Sequence, residues 1–157
     1  MSRKFLIAGG FVVGLVAGAV YLSTGGETVD TKLSADHTDA DLVALGRDVY
    51  ASQCAACHGA NLEGQPRWRT RKPNSRLPAP PHDASGHTWH HDDLSLFRLT
   101  KLGLSAVVGQ PVETDMPAYE GVLSDREIWA VLAYIKSRWP ENIRQRQADI
   151  NARTRQE

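Results

Sequence analysis

Cys54, Cys57 and His58 stand in the run CAACH, which holds both cysteines of the chain and sets an imidazole directly behind the second. Thiols three residues apart lie one helical turn from each other, on one face of a helix. Several chemistries use such a pair. A redox dithiol of the thioredoxin kind belongs beside a βαβ pattern, and no strand-like alternation or hairpin turn occurs in this sequence. A structural zinc site takes four ligands; without a second cysteine pair it would have to recruit His82, His87, His90 or His91. A disulfide closing so short a loop would stabilise little. Covalent haem attachment uses all three residues together: the thiols add to the two vinyl groups of the porphyrin, and the adjacent histidine aims a ring nitrogen at iron.

Iron held in this way needs a sixth ligand or keeps an open position. Apart from Met1 the chain has one methionine, Met116, in the stretch ETDMPAYEG. Pro117 pushes Met116 towards extended backbone, from which a thioether can hang over a flat surface. The competing role for Met116 is the usual one of filling a gap in a core.

The elements that would position these groups are helical. Residues 38–54 carry Thr38 or Asp39 as a cap and apolar positions at Leu42, Val43, Gly46, Val49 and Tyr50, a helical spacing that delivers the chain into Cys54. Residues 59–86 hold five prolines and no apolar run, which predicts a long surface loop wrapped around something. A second helix is predicted from Asp92 and Asp93, with Leu94, Phe97 and Leu102 as its apolar positions and Gly103 as its stop. An irregular stretch should follow as far as Leu123. The last helix opens on a capping box, Ser124 to Glu127, buries Ile128, Val131, Leu132 and Ile135, and is interrupted by Pro140.

Composition bounds the partners. The 157 residues suit one domain, and eighteen basic against eighteen acidic residues give no global reason to bind nucleic acid. Residues 5–22, FLIAGGFVVGLVAGAVYL, are uncharged; as a helix they span roughly 27 Å, about a hydrocarbon core. Arg3 and Lys4 ahead of them put the N-terminus in the cytoplasm and the remainder outside. A retained anchor is expected, with a signal peptide cleaved near Ala19 as the alternative. The expected order is therefore an anchor or signal peptide at 1–22, a flexible linker at 23–36, the functional domain at 37–140, and a polar tail at 141–157 that could be helical but has little to bury.

Three stretches carry a family likeness: DVYASQCAACHGANLEG at 48–64, MPAY at 116–119 and LSDREIWAVLAYIKSRWP at 123–140. Over about residues 39–139 the chain resembles the class I c-type cytochromes, monohaem and membrane-anchored. The resemblance implies an all-α fold of about three to four helices around one haem c, covalently held through Cys54 and Cys57, with His58 and Met116 as axial ligands. It implies that Gly46 and Tyr50 cross the last helix near Val131 and Tyr134. A proline carbonyl should accept a hydrogen bond from His58; of Pro78, Pro80 and Pro81, Pro80 is the choice. Trp89 is expected beside the haem, its indole N–H within reach of a propionate.

The implied activity is electron transfer in the periplasm, from a single-pass position in a bacterial inner membrane, between partners such as a terminal oxidase or a periplasmic dehydrogenase. It is not enzymatic by itself. Arg67, Arg69, Arg71, Lys72 and Arg76, a run without acids, could dock an acidic partner or pair with propionates. Two competing readings use the histidines: a haem enzyme such as a peroxidase, with acid–base groups over a labile position, or a metal-binding module formed by His82, His87, His90 and His91. Displacement of Met116 by one of these histidines is a further variant.

Overall fold

Asp39 starts the first helix. Its carboxylate accepts hydrogen bonds from the amides of Asp41 and Leu42, both at 3.0 Å, donors that have no partner within the helix. From there α1 runs over Ala40–Val49 in a computed structural model that describes residues 34–155. The expected membrane segment at 5–22 and most of the linker at 23–36 lie outside the described residues. Among the described residues, no helix is long and apolar enough to cross a membrane. The linker ends earlier than its expected boundary, because Ala35 is buried with Leu96, Ile128 and Leu132; its methyl is small enough to sit in that apolar seam.

The first helix does not run straight into Cys54. A π-type turn over Tyr50–Cys54 intervenes, with the Ala55 amide donating to the Tyr50 carbonyl, before the short α2 at Ala55–His58. In an unbroken helix, residues seven apart nearly share a face. The wider turn separates them, so Tyr50 stays in the core while Cys57 emerges at the surface.

Ser124 and Glu127 form both halves of their capping box at the start of α5, Asp125–Ser137. Ile128, Val131, Leu132 and Ile135 are all buried. Helix α1 lies across α5 at Gly46, where a Cβ would run into the Ala130 carbonyl and come within 2.9 Å of the Tyr134 Cβ. The crossing thus falls on Ala130 and Tyr134, one residue before the expected Val131. The Tyr50 and Tyr134 rings meet at 5.5 Å, and Val131 packs in the same cluster as Tyr50.

Between these helices lie α3, Asp93–Leu102, and α4, Leu104–Val108. Asp92 caps α3 by accepting from the Ser95 amide at 2.9 Å, and Gly103 ends it at φ 82°. The apolar face differs from the expected one: Leu96 is the buried residue, Phe97 stacks on Trp129 at 4.5 Å, and Leu94 and Leu102 are exposed. The stretch expected to be irregular as far as Leu123 contains α4. All described elements are helices, turns or loops.

The largest departure is at the C-terminus. Residues 141–154 form α6, Glu141–Thr154, a helix docked on the body of the protein where a polar tail was expected. Pro140 does interrupt α5, but it then serves as the N-cap of this helix. Only Ile143 among its apolar residues is buried; Gln147, 1% exposed, does the rest through hydrogen bonds. Its amide donates to the Asp93 carboxylate at 2.7 Å and to the His91 carbonyl at 3.3 Å. Asn151 accepts from the Asp93 amide at 2.7 Å, and the Lys136 ammonium reaches the same carboxylate at 2.7 Å. Asp93 therefore ties α3, α5 and α6 together. Replacing it by alanine leaves Lys136 and Gln147 buried without their partner, an expected loss of about 3 kcal/mol. Denaturant unfolding of Asp93→Ala should show a lower midpoint at unchanged slope.

Candidate functional site

His58 is the last residue of α2, and the chain turns away at once through Gly59, at φ 81°. Its ring is 8% exposed, and its Nδ1 lies 2.8 Å from the Pro80 carbonyl oxygen. A carbonyl can only accept, so the proton sits on Nδ1 and the Nε2 lone pair is left to bind a metal. Burial lowers the pKa of His58, partly offset by this hydrogen bond, which favours the neutral, ligating form. A carbonyl partner of this kind fixes the ring and raises its basicity.

Pro80 reaches His58 because the long loop is pinched at its neck. The amides of His82 and Gln65 donate to the carbonyls of Leu62 and Ala79, each at 2.8 Å, and the Gly64 amide donates to the His58 carbonyl at 2.8 Å. Gly64, at φ 69°, lies so close that a Cβ there would fall 2.7 Å from the Pro80 carbonyl carbon. Only glycine permits both the backbone angle and the approach. Residues 66–78 form the part of the loop that projects beyond this neck.

Cys54 and Cys57 are both free thiols. Burial, with a smaller contribution from Cys57, pushes Cys54 up to about 11. The two thiols stand one turn apart directly ahead of His58, the arrangement that covalent haem attachment requires.

His82 lies under His58, the rings stacked with centroids 4.0 Å apart and planes at 21°. Its Nδ1 meets Thr88 Oγ1 at 2.8 Å, and its carbonyl accepts from Trp139 Nε1 at 2.7 Å. Burial moves His82 well below the usual histidine range. The other histidines are otherwise engaged: His87 stacks on Trp68 at 5.3 Å, His90 on Trp89 at 3.6 Å, and His91 meets His87 edge-on at 5.7 Å. Among the described residues no three His, Cys, Asp or Glu side chains are arranged to hold a metal ion. Among the described residues His82, His87, His90 and His91 form no such group, although His87 and His91 touch. The reason is the neck of the loop, which turns His82 inward while the other three follow the 3-10 turn Thr88–His90.

Trp89 sits on that turn against the Val49–Ile143 core cluster, with the Arg146 guanidinium 5.9 Å above its ring. Its Nε1 is buried and has no hydrogen-bond partner in the protein. Met116, partly buried, belongs to the loop between α4 and α5. That loop is fastened at two places. Tyr119 donates from its hydroxyl to the Gln53 carbonyl at 2.8 Å, next to Cys54, and its amide donates to the Thr100 carbonyl at 3.1 Å. The motif MPAY contained Tyr119, but nothing in its spacing disclosed this bond across the attachment motif.

The basic stretch is divided. Arg76 meets Asp115 at 2.6 Å and Glu113 at 3.3 Å, and Lys72 meets Asp115 at 3.1 Å, so these two are paired within the chain. Arg69 stacks over Trp68 at 4.0 Å. Trp68, Arg69, Leu77, Pro78, Pro80 and His87 line an open cleft of about 350 Å³.

These features fit a covalently attached haem: two free thiols, a neutral imidazole with Nε2 available, and a buried indole donor awaiting an acceptor. A model of the Cytochrome c family matches residues 43–139, more than half of the chain. No curated protein and no solved structure gives a match.

Proposed function

Because this chain belongs to the cytochrome c family, we propose that it is a class I, monohaem electron carrier with His58 and Met116 as axial ligands, held by residues 5–22 on the periplasmic face of a bacterial inner membrane. Family membership supplies the coarser statements outright: the cofactor is haem c, bound covalently through Cys54 and Cys57, and the chemistry is haem-based electron transfer. The haem supplies the one-electron ferric–ferrous couple.

The rest falls to the polypeptide. His58 is oriented by Pro80 from one side and by the His82 ring from another. Met116, on a loop fastened beside Cys54 by Tyr119, is the thioether for the opposite face, and such ligation raises the potential. Trp89 has a donor free for a propionate. Arg67, Arg69 and Arg71 remain for an acidic redox partner such as a terminal oxidase or a periplasmic dehydrogenase, since Lys72 and Arg76 are already paired. A catalytic role would need acid–base groups over a vacant position. The buried histidine that could serve, His82, lies behind His58 instead, which favours a carrier over an enzyme.

The observation that carries this reading is the 2.8 Å bond from His58 to Pro80, which leaves Nε2 for iron. The test is spectroscopic. Mature protein should keep its colour through denaturation and solvent extraction, show a weak far-red sulfur-to-iron band when oxidised, and stay unchanged when carbon monoxide is added to the reduced form. Extractable colour, or rapid carbon monoxide binding, would defeat it.

A further inference from the structure

Residues 66–78 project from a neck that also supplies Pro80 to His58, yet their basic side chains do not all face solvent. A tight turn holds Lys72 and Arg76 side by side: the Lys72 amide donates to the Arg76 carbonyl at 2.8 Å, and the Ser75 amide to the Lys72 carbonyl at 2.9 Å. Both side chains converge on Asp115, at 3.1 and 2.6 Å, and Arg76 adds Glu113 at 3.3 Å. Asp115 immediately precedes Met116. The contacts span 39 and 43 residues of sequence, joining the loop on the His58 side to the loop bearing the thioether.

We infer that Lys72 and Arg76 form an ionic latch that positions Met116, so that the hold on the sixth coordination position depends on ionic strength. The inference rests on Met116 being a ligand. The fixings at Tyr119 lie on the C-terminal side of Met116; the latch secures the N-terminal side at the residue next to it, where the Met116 amide bonds only within its own segment, to Thr114 Oγ1 at 3.0 Å, and the next tie to the body is the Val112 amide on Ser105 Oγ at 3.0 Å. With both ends held, the segment has little freedom to swing away. With one end released, the population in which sulfur has left the metal rises, and an external ligand binds more tightly in proportion to that population. Exposed ion pairs are individually weak. Three contacts on the neighbouring carboxylates of Asp115 and Glu113, on a backbone already turned to present them, act together.

Imidazole titration of the oxidised holoprotein reads this population directly. Lys72→Gln/Arg76→Gln should bind imidazole about tenfold more tightly than the parent, as should Asp115→Asn. Combining all three changes should add little, because either side of the latch suffices to break it. The parent protein should approach the variants as salt rises from ~0.01 to ~1 M and the Debye length falls from about 30 to about 3 Å, while the variants stay nearly salt-independent. Equal imidazole affinity in parent and variants, with the far-red band intact in all, overturns the latch and leaves Met116 as ligand. Absence of that band in the parent overturns both.

Discussion

Valine at position 46 should leave almost no mature holoprotein. The position is set by packing: at Gly46 the backbone of α1 rests against the Ala130 carbonyl of α5, and any Cβ collides with main-chain atoms that no rotamer change can move. Relief requires the helices to part. Parting them opens the cluster of Val49, Tyr50, Val131 and Ile135 and disturbs the Tyr50 hydroxyl, which donates to the Gly59 carbonyl at 2.8 Å just past His58. Losses above about 4 kcal/mol are reserved for such backbone and core collisions, and a domain has only about 5–15 kcal/mol in total. Holoprotein yield and the denaturant midpoint measure the effect. Gly46→Ala, with the smallest possible side chain, should already lower the midpoint; a wild-type midpoint for that variant would show that the helices do not cross this closely.

Removing the thioether should be the second large effect, and it acts on the redox couple rather than the fold. Met116→Ala deletes a partly buried side chain on a loop that Tyr119 still fastens to Gln53 and Thr100, so the variant should fold and attach its haem. The far-red band should disappear, carbon monoxide should bind the reduced form, and the potential should fall by an appreciable share of the ~0.8 V range that axial ligands command. Potentiometry and a carbon monoxide difference spectrum decide the matter. An unchanged spectrum and potential would remove Met116 from the metal and reopen ligation by a histidine.

Local features of this fold were the legible ones. Asp39, Asp92 and the Ser124–Glu127 box are caps, set by residues within one turn of each other, and a sequence displays such neighbours directly. CAACH is equally local. Pro80 came from the family likeness rather than from spacing, and the loop neck does bring its carbonyl to His58. What escaped were interactions between distant residues. Leu96 was passed over in favour of Leu94 and Leu102 because a short helix with five leucine or phenylalanine choices has no unique apolar face until its neighbours are known. Helix α6 was read as a tail since it buries little hydrocarbon; its docking depends on Gln147 and Asn151 finding Asp93, more than fifty residues away. His82 was grouped with its sequence neighbours, and only the neck of the loop separates it from them. The division of the basic stretch was invisible for the same reason, as its acidic partners lie beyond two intervening helices.

The docking of α6 carries the packed structure past the matched residues. Its helix begins after the last residue of the family match, yet Trp139, at the junction, donates to the His82 carbonyl behind the axial imidazole. The packed body of the protein therefore extends beyond the matched residues, through Ile143 in the core cluster and Gln147 on Asp93. Arg146 of that helix lies 5.9 Å over the Trp89 ring, so residues beyond the matched stretch bear on the indole proposed to meet a propionate, and substitutions there should be felt at the redox centre.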